Sequence, residues 1–107
     1  MITKNIILPE LCGRALELGL LNMEPWYAIS EEQCAQLMVA FSTRYPNLHV
    51  RPFARRQDCD DIACVGENES IIVIHDFASD GWEKRKQFVD FAAWIRVAIE
   101  DFIEFNS

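Results

Sequence analysis

Ile62-Ala63-Cys64-Val65-Gly66-Glu67-Asn68-Glu69-Ser70-Ile71-Ile72-Val73-Ile74 is the stretch on which the fold turns. Two apolar runs rich in β-branched residues flank five small or polar ones, the composition of a β-hairpin with a connection of ordinary length. Ile71 to Ile74 do not alternate with polar residues, so this strand is expected near the centre of a sheet, covered on both faces. Just upstream, Arg55-Arg56-Gln57-Asp58-Cys59-Asp60-Asp61 reads as a polar loop. Before it, Leu48-His49-Val50-Arg51 alternates with period two and reads as another strand. Pro52 lacks a ladder donor and restricts that strand to an edge or an end.

Helical patterns lie outward on both sides. Ser30-Glu31-Glu32-Gln33 is a capping box, with the Ser hydroxyl capping and Gln33 reaching back to the Ser30 amide. Cys34, Leu37, Met38 and Phe41 follow at i, i+3, i+4, i+7, and Tyr45-Pro46 ends the helix. Pro9-Glu10 suits a first helical turn, and Leu11, Ala15 and Leu18 share a stripe, so a short helix is expected over about 9–19. Asn22 to Ala28 reads as a packed loop. After the hairpin, Asp76 to Asp80 reads as a loop. Phe88, Phe91, Ala92, Ile95, Ala98, Ile99, Phe102 and Ile103 then mark a long helix to about residue 105. It starts either at an Asp80-Gly81-Trp82-Glu83 capping box or near Gln87. The expected fold is one α+β domain: an antiparallel sheet of three to four strands, packed by two N-terminal helices and a C-terminal helix over 85–105. Ile99 is expected in its core.

The chain has 107 residues, half of them apolar, enough for one core and too few for two. Residues 1–53 carry four cations and five anions; residues 54–107 carry six and twelve. Of the net −7, therefore, −6 belongs to the second half. That charge repels phosphate backbones and anionic membranes, so neither nucleic acid nor membrane is an expected partner; a basic protein is. No apolar run approaches the roughly 20 residues of a membrane span. The N-terminus lacks an apolar leader core and a cleavage site, and the chain is expected to be cytoplasmic.

Catalytic signatures are missing. Neither His49 nor His75 belongs to a nucleophile–base pattern, and Asp76 beside His75 points to the other face of a strand. Cys12, Cys34, Cys59 and Cys64 include no Cys-x-x-Cys pair, so four reduced thiols and no metal are expected. The best alternative is zinc on Cys59, Cys64 and His75, with Asp58, Asp60 or Asp61 as fourth ligand. The Asp58-Asp60-Asp61 cluster also suggests a divalent cation, but no EF-hand pattern surrounds it. Otherwise it is a solvated or partner-binding loop, or a structural clasp with Arg55 and Arg56. Trp94 reads as core, whereas Trp82, in a polar loop, is a lid over the sheet or an interface anchor.

The second half also carries a recognisable wording. Pro52-Phe53-Ala54-Arg55-Arg56 is followed by Asp58-Cys59-Asp60-Asp61-Ile62-Ala63-Cys64, then by Ile72-Val73-Ile74-His75-Asp76-Phe77 through Glu83, then by the segment Phe88 to Phe105. Over about residues 50–105 the chain resembles the SUKH superfamily. The resemblance implies an α+β domain and, for bacterial members, an immunity protein of a polymorphic or contact-dependent growth inhibition system that blocks a cognate toxin, often a nuclease. Such an inhibitor needs no cofactor and needs an acidic surface. The expected partner-binding residues are Asp58, Asp60, Asp61, Glu67 and Glu69 as the steering set, with Asp76, Asp80 and Trp82 beside them. A small acidic metal-dependent enzyme and a regulatory interaction scaffold are the two other classes.

Overall fold

The structure, a computed structural model, describes residues 6–75 and 84–107. The elements run α1 (Glu10–Glu17), β1 (Trp26–Ala28), α2 (Glu31–Arg44), β2 (Arg51–Arg56), β3 (Asp61–Val65), β4 (Ile71–His75), β5 (Lys84–Phe88) and α3 (Phe91–Phe105). Among the described residues the five strands form one antiparallel meander in the order β1-β2-β3-β4-β5. The fold is α+β.

The β3–β4 hairpin forms where its two apolar runs lie, with every residue from Ile62 to Val65 and Ile71 to Ile74 buried. Val65 pairs with Ile71 and Ile62 with Ile74, so the register closes around Gly66–Ser70. A Cβ on Gly66 would stand 2.8 Å from Cδ1 of Ile72, so a larger residue there would require that side-chain end to shift. Asn68 and Glu69 take left-handed φ of 57° and 60° to complete the turn; Asn tolerates that conformation and Glu does so at some strain.

Alternation sorts the sheet residues into two layers. Ala63, Val65, Ile71 and Val73 face α1 and α3 in a core with Trp26, Phe53, Phe91, Trp94 and Ala98. Ile62, Cys64, Ile72 and Ile74 face α2 and pack with Phe41, Tyr45 and Val50. Helix α2 carries the expected capping box, with Ser30 and Gln33 exchanging hydrogen bonds.

Several expectations are corrected. The sheet has five strands among the described residues, rather than three to four. Trp26–Ala28, read as loop, is edge strand β1, because two Trp/Tyr residues beside Pro25 carry β propensity that so short a segment hides. The strand read at Leu48–Arg51 lies later, at Arg51–Arg56, so Pro52 is inside a strand and Arg55 and Arg56 are strand rather than loop. A register shift between Pro52 and Ala54 accommodates the proline. Lys84–Phe88 is strand β5, not the first turns of a helix over 85–105. Helix α3 begins at Phe91 behind Asp90, whose carboxylate accepts from the Ala93 amide. The Asp80–Glu83 capping box lies outside the described residues. Ile99 is 43% exposed and not core; the buried stripe of α3 is Phe91, Trp94 and Ala98.

Candidate functional site

Register builds a polar row across one end of the sheet. Trp26 of β1 pairs with Arg56 of β2, and Arg55 pairs with Ile62, which sets Arg56 beside the β3–β4 pair of Asp61 and His75. All four positions lie on the layer that α3 covers. Trp26 Nε1–H donates to Asp101 Oδ2 of α3 at 3.0 Å. The Arg56 guanidinium stands 5.7 Å from the Trp26 ring centroid and 3.5 Å from the same Asp101 oxygen. Its Nε and Nη2 donate to both oxygens of Asp58 at 2.8 and 2.9 Å, the planar fork that a lysine cannot reproduce. Arg56 is thus the hub that ties β1, the loop after β2, and α3 together.

Asp61 is the exception to a wholly apolar core on β3: it is 7% exposed. His75 Nδ1 lies 2.8 Å from Asp61 Oδ1, and since a carboxylate oxygen accepts, the Nδ1–H points at it. Sequence reading missed this pair by looking for a partner next to His75 in the chain. The hairpin offers the signal: counting outward from a Gly66–Ser70 connection puts residue 61 opposite 75. By the same register Cys64 lies opposite Ile72 rather than near His75, which takes apart the Cys59, Cys64, His75 ligand set. Among the described residues no three His, Cys, Asp or Glu side chains gather as a metal site.

Cys12, Cys34 and Cys59 are not poised for attack. Burial pushes Cys12 up to about 12. Burial also raises Cys34. It raises Cys59 too, reinforced by the Asp61 and Asp58 carboxylates, although Cys59 is exposed. A thiol needs a lowered pKa to act as nucleophile at neutral pH.

The steering residues expected from sequence separate. Asp58, exposed, is engaged with Arg56 as the clasp alternative describes, whereas Asp61 is buried against His75 instead of an arginine. Asp60 between them is exposed. Glu67 and Glu69 are exposed at the hairpin tip, the other end of β3, about 16 Å from Asp60 for a five-residue strand. There Glu69 shares a concavity with Glu10, Asp90, Leu11 and Val89. Asp76, Asp80 and Trp82 lie outside the described residues. Comparison with protein-family models, with curated proteins and with solved structures returns no match in any of the three.

The clasp makes a pH prediction. Hydrogen bonds from Arg56 hold the Asp58 carboxyl below its ordinary value, against a smaller opposing effect of burial. A depressed carboxylate stabilises the fold fully above the unfolded pKa of about 3.9, and that contribution is lost as pH falls through the folded value. Arg56→Ala is therefore expected to cost at most about 1 kcal/mol at pH 7 through this solvent-screened pair. The variant is also expected to lose less further stability than the parent between pH 5 and pH 3. Urea midpoints at the two pH values check both; equal pH slopes would show that Asp58 is not held by Arg56 in solution.

Proposed function

We propose that this chain is an immunity protein that acts in the cytoplasm by binding and neutralising one cognate bacterial toxin, a basic nuclease of a polymorphic or contact-dependent growth inhibition system. The single observation that carries the reading is the charge distribution, −6 of −7 within residues 54–107. Asp60, Glu67, Glu69, Glu100 and Glu104 all expose that charge. An acidic surface imitates the substrate of a nuclease and steers the encounter. The SUKH resemblance over residues 50–105 supports the same conclusion. Inhibition by a scaffold requires no catalytic group and no cofactor, which suits thiols with raised pKa values and aspartates engaged in holding the fold.

The test is protection in cells. A toxin reading frame is expected beside this chain's; its expression is expected to arrest growth, and co-expression of this chain is expected to restore it only when the two are made in equal amounts. Protection by a small fraction of an equivalent would sink stoichiometric inhibition and favour catalysis. The Asp61–His75 pair is the observation on the side of an enzyme, because an imidazole oriented through Nδ1 works through Nε2 as a base. His75→Gln separates the two: inhibition by binding predicts unchanged protection, and loss of protection with an unchanged melting temperature would favour the enzyme.

A further inference from the structure

Helix α3 runs for 15 residues, about 22 Å. Phe91, Trp94, Ala98 and Asp101, at i, i+3, i+7, i+10, face the sheet, and Asp101 makes the last contact through Trp26 and Arg56. Ile99, Phe102, Ile103 and Phe105 are 41–50% exposed. Ile99, Phe102 and Ile103 stand at i, i+3, i+4 and so form one continuous patch rather than scattered side chains. Beside that patch runs a second row at four-residue spacing, Arg96, Glu100 and Glu104, all exposed.

We propose that this face of α3, from Ile99 to Phe105, docks a cationic amphipathic helix of a protein partner. The proposal rests on the reading of the chain as a partner-binding inhibitor and names its docking face. Two arguments select the occupant. Beyond Arg96 the flanking row carries two carboxylates, so a helix laid along the C-terminal part of the patch is favoured when Lys or Arg, four residues apart, face Glu100 and Glu104. A second copy of this chain fits poorly. Each copy brings a net charge of −7. Aromatic and isoleucine side chains supply the anchors, and the two glutamates select the partner's charge.

The probe is a synthetic 18-residue Leu/Lys amphipathic helical peptide, with a scrambled peptide of the same composition as control. Titration into isotopically labelled protein is expected to shift amide resonances of residues 95–107 and to leave the hairpin tip unmoved. Ile99→Gln with Ile103→Gln, and separately Glu100→Lys with Glu104→Lys, are each expected to weaken binding at least tenfold with melting temperatures close to the parent's. Shifts centred elsewhere, equal binding of the scrambled peptide, undiminished binding by both variants, or a dimer of the free chain would overturn the proposal. The same variants assayed against the toxin separate the two claims. If toxin binding is intact in both variants, the functional reading stands and the α3 face falls. If the parent does not bind toxin, that reading falls while the peptide titration still judges the face.

Discussion

Trp94→Ala is expected to remove about 3–5 kcal/mol of stability, a large part of what a domain of this size has. Trp94 is 1% exposed and is the meeting point of the α3-side core. Its ring stands edge-on to Phe53 at 5.0 Å and to Trp26 at 5.3 Å, and tilted to Phe91 at 5.6 Å. Truncation empties that space and dissolves three ring contacts at once, each worth about 0.5–1.5 kcal/mol beyond area. A fall in melting temperature of at least about 12 °C is expected. Ile99→Asp, one turn further along the same helix, is expected to cost at most about 1 kcal/mol, because residue 99 is 43% exposed. Calorimetry on both variants checks the assignment; equal losses would mean that α3 is rotated about its axis.

Asp61→Lys is the second large effect. It removes the carboxylate facing His75 and places a cation at a 7% exposed position, in the row that also holds Arg56. Burying a lysine cation without a carboxylate partner at so enclosed a position is expected to cost several kcal/mol, so the variant is expected to be marginally folded at best. Asp60→Lys, its neighbour in the chain, is expected to stay within about 0.5 kcal/mol of the parent. Chemical denaturation of the two single variants resolves whether the acidic loop is scaffold or surface: the structure divides it, with residues 58 and 61 structural and residue 60 presented outward. If Asp61→Lys melts like the parent, the Asp61–His75 contact contributes nothing to the fold.

These two contrasts show what the chain made legible. The hairpin and α2 could be read because their signals are local: a five-residue connection between β-branched runs, and a capping box followed by apolar residues at helical spacing. β1 and β5 could not. Trp26–Ala28 is a three-residue strand whose place is set by pairing with β2, and Lys84–Phe88 is an edge strand whose cations resemble a solvated helix face. The phase of α3 was misread for a related reason. Its apolar residues occupy two adjacent stripes, and which stripe is buried is decided by packing against the sheet, which selects Phe91, Trp94 and Ala98, rather than by periodicity. Among the site residues, Asp60, Glu67 and Glu69 are surface as expected. The roles of Asp58, Asp61 and Asp101 depended on contacts with Arg56, His75 and Trp26 that only the folded register supplies.

The proposal that the acidic half of the chain meets a basic toxin is tested most directly by association kinetics. For a basic toxin that this chain binds, the association rate constant, measured by stopped flow at 20 and 300 mM NaCl, is predicted to fall at least about tenfold, with dissociation changing less than about threefold. An association rate indifferent to salt would contradict it.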